Sequence, residues 1–206
     1  MRAVLLLGPT GSGKTPLGRK LAEAGWAGGR VFHFDFGAEL RAAAADEGRS
    51  AGLEVPELKI VKDSLASGAL LEDDEFPVAL KILRAFLERH RPAENDVLVL
   101  NGLPRHEGQA ERMKGLVAVR LVVVLEAAAE TLRRRIGRDV GRDRAGRVDD
   151  TPAEVRKKLR LYERRTKPLI EYYAAQGVPV LRLKVGAADT GDDIYRALRA
   201  HREVNL

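Results

Sequence analysis

The feature that most restricts how this chain can fold is a short glycine-rich segment close to its first residue. The segment reads Gly8-Pro9-Thr10-Gly11-Ser12-Gly13-Lys14-Thr15, which is the spacing of a phosphate-binding P-loop. It lies between an apolar run at 3–7, which favours a strand, and a run at 15–24 with helical periodicity. In such a unit, backbone N–H groups and the positive end of the helix face a polyphosphate. Lys14 then reaches the outer phosphates, and the hydroxyl of Thr15 can ligate Mg²⁺.

The composition excludes several kinds of site. The chain has 206 residues and no cysteine, which excludes disulfides, thiolate metal sites and cysteine nucleophiles. Its apolar runs are too short to span a bilayer, and the run before Gly8 is too short for a signal peptide. We therefore expect a soluble, cytoplasmic protein with no membrane partner.

The basic residues are unevenly distributed. The formal net charge is +6, and arginines concentrate in 133–147 and again in 156–165. Aromatic residues are scarce and none lies within the first cluster, so a base-stacking platform for nucleic acid is not indicated. The alternative is a solvated basic face, but the P-loop already requires a phosphate ligand. We favour cations gathered around phosphates, with no nucleic-acid partner.

Apolar strand-like runs alternate with helical runs along the chain. The strand-like runs are rich in valine and leucine and lie at 3–7, 31–34, 97–100, 119–125 and 178–183. The helical runs lie at 15–24, 38–46, 57–67, 74–90, 127–138, 152–175 and 192–201. Near-continuous apolar strands indicate burial on both faces. Their alternation with helices predicts an α/β fold built on a doubly wound, five-stranded parallel sheet.

Two stretches interrupt this alternation. Residues 37–72 hold helical patterns with no strand between them, which predicts a small helical insert. Residues 139–150 are polar, rich in glycine, arginine and aspartate, and have no hydrophobic period, which predicts a mobile loop. Thr151 is predicted to cap the next helix, with Glu154 at the capping-box position, and Gly68 is predicted to end a helix in a left-handed conformation.

Further motifs follow the P-loop in order. They are Gly37-Ala38-Glu39-Leu40-Arg41, Gly68-Ala69-Leu70-Leu71, Asn101-Gly102-Leu103-Pro104-Arg105 with Gln109, and Gly146-Arg147-Val148-Asp149-Asp150. With this order and spacing the chain resembles adenylate kinase and its nucleoside monophosphate kinase relatives, in particular the short-lid branch. The resemblance implies one P-loop kinase domain over 1–206, with a monophosphate-binding insert at 37–72 and a lid loop at 138–150.

The resemblance also implies a reaction and its residues. A kinase of this family moves the γ-phosphoryl of MgATP directly to a nucleoside monophosphate, AMP first among the candidates, and we expect it to act as a monomer in nucleotide biosynthesis. The catalytic residues implied are Lys14, Arg105, Arg138, Arg147 and Lys158. ATP is held by residues 8–15 and Arg138. The acceptor is held by Phe36, Arg41, Gly102, Arg105, Gln109 and Arg147. The Mg²⁺ is held by Thr15 and, largely through water, by Asn101, while Asp149 and Asp150 orient the lid arginines.

Three positions depart from the family pattern. Asn101 stands where the family usually has an aspartate near the Mg²⁺, and Asp35 is the nearest candidate to compensate for the missing charge. Phe36 replaces a threonine near the base, where it could stack on a base or fill the pocket and exclude adenine. Lys158 replaces a lid-helix arginine with a point charge, which grips phosphate less specifically than a planar guanidinium.

Two other functions stay open at this stage. One is a kinase for another monophosphate or small acceptor, with Asp35 on the acceptor side. The other is a nucleotide-binding regulator with little turnover, which Asn101 and Lys158 together suggest. The P-loop also resembles that of the tRNA prenyltransferases and of some secretion ATPases, but those families do not account for the motifs at 101–105 and 147–150.

Overall fold

The computed structural model describes residues 1–26, 29–143 and 151–201. Its centre is a five-stranded sheet in which every neighbouring pair of strands is parallel. The strands are β1 (Arg2–Leu7), β2 (Val31–Asp35), β3 (Val97–Asn101), β4 (Ala118–Glu126) and β5 (Val180–Lys184). They lie in the order β2-β3-β1-β4-β5, so the P-loop strand β1 is central. This confirms the predicted five-stranded parallel α/β sheet. The three inner strands β1, β3 and β4 are buried on both faces over most of their length, which suits their near-continuous valine and leucine.

Nine α-helices connect and cover the strands within the described ranges. They are α1 (Lys14–Ala24), α2 (Phe36–Ala45), α3 (Val55–Ser67), α4 (Phe76–His90), α5 (Glu107–Met113), α6 (Ala129–Gly137), α7 (Pro152–Leu161), α8 (Leu169–Ala175) and α9 (Gly191–Ala200). A 3₁₀ turn at Arg49–Ala51 and a π-helical turn at Tyr162–Thr166 complete the set.

The hydrophobic core has two layers, one on each face of the sheet. Along β1, Leu5 and Leu7 belong to the layer packed against α2–α4 and α8, whereas Val4 and Leu6 belong to the layer packed against α1 and α9. Successive side chains of a strand point to opposite faces, so one apolar run serves both layers. Trp26, just after α1, is buried in the second layer. Helices on both faces of a parallel sheet make the fold doubly wound, as predicted.

The structure differs from the sequence-based expectation in two helical regions. Helix α5 was not predicted, because it is short and only Ala110 and Met113 give it a buried apolar face. The predicted helix at 152–175 is divided into α7, the π-helical turn and α8. Pro168 has no N–H to continue the helical ladder, and the N–H of Lys167 donates instead to the carbonyl of Tyr162, at 2.8 Å.

The predicted helix ends can be checked directly. Thr151 caps α7, since its side chain accepts a hydrogen bond from the N–H of Glu154 at 3.2 Å. Gly68 ends α3 with φ of 64°, which is the left-handed conformation expected there. Between β2 and β3 the chain forms helices and no further strand, and all of residues 29–143 are described. The predicted lid loop at 138–150 is described only as far as residue 143.

None of the helices in the described ranges has both the length and the apolar character that a membrane crossing requires.

Candidate active site

A cleft opens at the edge of the sheet where the parallel strands end. Its walls come from the P-loop, the ends of β2 and β3, the first turns of α2, the last turn of α3 and its following residues, and one side of α7. Ligands of open α/β sheets bind at this edge, because loops and helix N-termini converge there. Among the residues that the structure describes, five cationic side chains line the cleft: Lys14, Arg41, Arg105, Arg135 and Lys158. Such a concentration of positive charge fits a polyanionic ligand.

The P-loop, residues 8–15, forms a backbone cradle between β1 and α1. Gly13 precedes α1 with φ of 101°, a conformation that side chains disfavour, and a Cβ added to it would lie 2.6 Å from Ile194 Cδ1. Lys14 Nζ donates hydrogen bonds to two carbonyls of its own loop, those of Gly8 at 2.7 Å and Pro9 at 2.9 Å. The ammonium therefore lies directly over the loop, where a phosphate entering the cradle would meet it.

Three polar side chains meet where β2, β3 and the P-loop come together. Thr15 Oγ1 donates to Asp35 Oδ2 at 2.5 Å, and Asn101 Nδ2 donates to the same oxygen at 2.9 Å and to Thr15 Oγ1 at 3.0 Å. The sheet brings them together, since Asp35 and Asn101 are register partners at the ends of β2 and β3. The second oxygen of Asp35 accepts from the N–H of Ala38 at 3.1 Å and so caps α2.

Arg105 is half-buried beside this group. Its backbone is fixed on both sides, because its N–H donates to Gln109 Oε1 at 2.8 Å and its carbonyl accepts from Thr166 Oγ1 at 2.9 Å. Burial lowers the pKa of the Arg105 guanidinium, and the carboxylate of Asp35 opposes that shift. An arginine stays charged at neutral pH even so. A guanidinium held out of water in this way favours an anion brought by a ligand.

A sequence model of the family described as adenylate kinase matches residues 6–178 of this chain. Among similar proteins, an adenylate kinase of Stenotrophomonas maltophilia (strain K279a) is 36% identical over 180 residues, which cover 84% of this chain and 86% of that protein. An adenylate kinase of Xylella fastidiosa (strain M23) is 34% identical over 195 residues, covering 90% of this chain and 92% of that protein. The chain belongs to the adenylate kinase family.

Most of the site residues predicted from the sequence line this one cleft. The P-loop residues Thr10, Gly11, Gly13, Lys14 and Thr15 lie on its wall together with Gly8, and Arg41, Gly102, Asn101, Arg105 and Lys158 lie opposite or beside them. Ser12 is fully buried beneath the loop. Pro9 contributes through its carbonyl, which accepts from Lys14.

Phe36 is a correction to the predicted acceptor site. It is the first residue of α2, its ring is 4% exposed, and it stacks on Phe34 with ring centroids 6.0 Å apart. The strand ends one residue earlier, at Asp35, so the helix directs Phe36 into the core, away from the cleft. Phe36 therefore belongs to the core and does not line the cleft.

Gln109 lies beside the cleft with both ends of its amide engaged. In addition to accepting from the N–H of Arg105, it donates from Nε2 to the carbonyl of Leu71 at 2.8 Å, and it is 1% exposed. The amide thereby ties the strand-exit loop to the segment after α3. Recognition of a base by Gln109 would require these bonds to exchange, and it stays a prediction.

Arg135 lines the cleft, although only Arg138 was predicted from the sequence in this part of the chain. The role of Arg138 stays a prediction. Arg138 is exposed at the end of α6, whereas Arg135 is 3% exposed and lines the cleft. Its Nε donates to the carbonyl of Gly11 at 2.9 Å, and its Nη1 donates to those of Gly186 at 2.7 Å and Asp189 at 2.6 Å. The sequence did contain a signal for the burial of Arg135. It lies three residues after the apolar Leu132, and residues three apart share a face of a helix.

The remaining predicted residues fall in the part of the lid that is not described. Arg147, Asp149 and Asp150 lie outside the described residues, so their roles stay predictions. The predicted N-terminal limit of the lid, Arg138, is described and exposed.

The donor set of the cleft fits Mg²⁺. In the described part of the chain no group of three histidine, cysteine, aspartate or glutamate side chains is placed to hold a metal by itself. Thr15 and Asp35 instead offer hard oxygen atoms beside the phosphate cradle, and Asn101 donates from its amide nitrogen to both of them. Mg²⁺ in phosphoryl-transfer sites is held by few protein groups and completes its octahedron with phosphates and water.

Proposed function

We propose that this protein transfers the γ-phosphoryl group of MgATP to a nucleoside monophosphate, with AMP as the first candidate acceptor. The observation that carries the proposal is the convergence of Lys14, Arg41, Arg105 and Lys158 on one cleft beside a complete P-loop. Membership of the adenylate kinase family supports the same reaction. In keeping with that family, the protein is expected to act on small-molecule nucleotides as a cytoplasmic monomer.

The donor side of the cleft is the P-loop. Its backbone N–H groups and the N-terminus of α1 hold the β- and γ-phosphates, and Lys14 exchanges its two loop carbonyls for phosphate oxygens. Mg²⁺, when bound, neutralises charge on the β- and γ-oxygens. Thr15, with Asp35 and Asn101 bonded to it, stands beside the cradle, where this group can hold the ion directly or through water. In this proposal the γ-phosphoryl group points toward the acceptor side of the cleft.

The acceptor side is the opposite wall. Arg105 and Arg41 present planar guanidinium groups, which match two oxygens of a monophosphate at once. Behind them, Leu65 and Leu70 with the backbone of Gly68 form a less polar wall that suits a base. The acceptor phosphate is already anionic at neutral pH, so the attack needs no general base, and the protein has to position and neutralise the two nucleotides.

Exclusion of water is the remaining requirement, because an open site would transfer the phosphoryl group to water. Two exposed contacts join the chain around α7 to the segment at the end of α3. Lys157 of α7 donates to the carbonyl of Ser67, and Arg165 of the π-helical turn forms an ion pair with Glu72 at 2.9 Å. They support the proposal that this part of the chain, with Lys158, helps to shield the cleft from water.

The experiment is an assay of ADP formation from ATP with AMP, GMP, CMP, UMP and dTMP in turn. We expect rapid ADP formation with at least one monophosphate, AMP foremost, and about a 100-fold or greater loss in Lys14→Ala. Lys184→Ala, an exposed lysine at the end of β5, is the matched control and should behave as the unmodified protein. Binding of ATP without transfer to any of the five would contradict the proposal and favour a regulator.

A further inference from the structure

We propose that Asp35 is the carboxylate that faces the magnesium ion of bound ATP, with Asn101 as the residue that positions it. The inference rests on the proposed function, since it assumes that MgATP occupies the P-loop. In this arrangement the negative charge beside the metal comes from Asp35 at the end of β2, and the end of β3 carries the neutral amide of Asn101.

The position of Asp35 relative to the P-loop threonine is the first observation. The hydroxyl of the P-loop threonine ligates Mg²⁺ in sites of this kind. Asp35 Oδ2 lies 2.5 Å from that hydroxyl oxygen on Thr15. An anionic oxygen so close to a metal ligand is within reach of the ion or of the water molecules that surround it, and Mg²⁺ keeps several of those waters.

The chemistry of Asn101 is the second observation. Asn101 is 5% exposed and its amide donates to both Asp35 Oδ2 and Thr15 Oγ1. An amide carries no charge, so it cannot supply the negative group that a divalent cation favours beside its ligands. As a donor with both partners in reach, it instead fixes the carboxylate of Asp35 against Thr15.

The balance of charge in the cleft is the third observation. Lys14 and Arg105 bring positive charge to the same walls. Of the two described carboxylates that line the cleft, Asp35 acts on Arg105, whereas Asp143 acts on Arg135. The second oxygen of Asp35 is held by the N–H of Ala38 at the start of α2. The carboxylate therefore has a fixed orientation, with one oxygen on the helix and the other toward Thr15, as a group that orders metal-bound water requires.

The test measures metal affinity and needs no turnover. Mn²⁺ replaces Mg²⁺, and the free Mn²⁺ signal is followed by electron paramagnetic resonance with the ATP analogue that has an imido group between its β- and γ-phosphorus atoms. Asp35→Asn should weaken Mn²⁺ binding to the protein–analogue complex by about tenfold or more, the usual cost of losing such a partner. Asparagine is also a good helix cap, so α2 is retained and the fold should be unaffected.

A charge exchange separates the metal role from a structural one. The double variant Asp35→Asn with Asn101→Asp returns one carboxylate to the same group, and we expect it to recover most of the Mn²⁺ affinity. Glu39→Gln is the matched control for loss of a carboxylate on α2, where Glu39 pairs with Arg89 at 3.0 Å outside the cleft. It should bind Mn²⁺ as the unmodified protein does.

Two results would overturn the inference. One is wild-type Mn²⁺ affinity in Asp35→Asn. The other is a loss in Asp35→Asn that the charge exchange does not recover, which would mean that Asp35 acts through the local structure alone. Failure of the proposed function gives a different pattern: the unmodified protein would bind the analogue and Mn²⁺, yet phosphorylate no monophosphate.

Discussion

Replacing Arg135 by alanine should destabilise the protein and weaken ATP binding together. The guanidinium joins the P-loop, through the carbonyl of Gly11, to the loop between β5 and α9, through the carbonyls of Gly186 and Asp189. Sequence separations of 124, 51 and 54 residues make these tertiary bonds, so no local structure replaces them.

The size of the effect follows from those three bonds. A hydrogen bond from a charged group contributes about 1.5–3 kcal/mol, but bonds made by one side chain are not additive. Burial also lowers the pKa of Arg135, which marks a desolvation cost that its removal relieves. We therefore expect a net loss of about 3 kcal/mol in the free energy of unfolding. For a domain of this size that corresponds to a fall of about 6–12 °C in Tm.

Thermal and urea unfolding followed by circular dichroism measure the loss, and the KM for ATP should rise about tenfold because the P-loop loses its outer support. Arg135→Lys should be intermediate, since one ammonium cannot reach three carbonyls as a planar group does. Arg133→Ala, an exposed arginine of the same helix, is the control and should stay within about 0.5 kcal/mol of the unmodified protein. If Arg135→Ala unfolds like Arg133→Ala, the bonds contribute nothing and the reasoning fails.

Three further outcomes are expected. Arg105→Lys should lower kcat/KM for the monophosphate by about 100-fold with little change in the KM for ATP, because a point charge cannot grip two oxygens; an equal rise in both KM values would contradict this. Gly13→Ala should lower Tm and remove ATP binding, since φ is 101° and the new Cβ would lie 2.6 Å from Ile194; wild-type binding would show that the cradle tolerates a side chain. Hydrogen bonds from Arg30 and the N–H of Ala93 hold the pKa of Asp96 below its ordinary 3.8. Its contribution to stability is thus complete above that pH and disappears as pH falls through the lower folded-state pKa. Asp96→Asn should make the urea midpoint less sensitive to acid than in the unmodified protein, and parallel pH profiles would refute the assignment.

Features that depend on contiguous residues could be predicted from the sequence. The P-loop is such a feature, because its glycines, Lys14 and Thr15 act through one continuous stretch of backbone. The strands were also predictable, since each is a short apolar run and the three inner ones are buried on both faces of the sheet. Because the strands are parallel, their carboxyl ends lie at the same edge of the sheet, and Asp35 and Asn101 lie there together.

Features that depend on the rotation of a helix or the end of a strand could not be predicted as well. Phe36 was expected in the cleft, but β2 continues to Asp35 and α2 begins at once, which turns the ring into the core. Arg135 and Arg138 were indistinguishable as members of an arginine cluster. The packing of α6 against the P-loop buries Arg135 and bonds it to Gly11, whereas Arg138, one turn of helix later, is exposed.

The two hydrogen bonds of the Gln109 amide could not be predicted from the sequence either. Its partners, the N–H of Arg105 and the carbonyl of Leu71, come from different parts of the chain and meet through tertiary packing. Motif spacing alone identifies which residues approach the cleft, and the bonds they make there depend on the whole fold.

The central claim is that two nucleotides face each other in one cleft and exchange a phosphoryl group directly. Phosphorus-31 NMR of the protein mixed with MgATP and AMP tests it, because transfer to AMP and transfer to water give different products. We expect ATP and AMP to be consumed together and ADP to be the only product. Release of inorganic phosphate while AMP stays unchanged would contradict it.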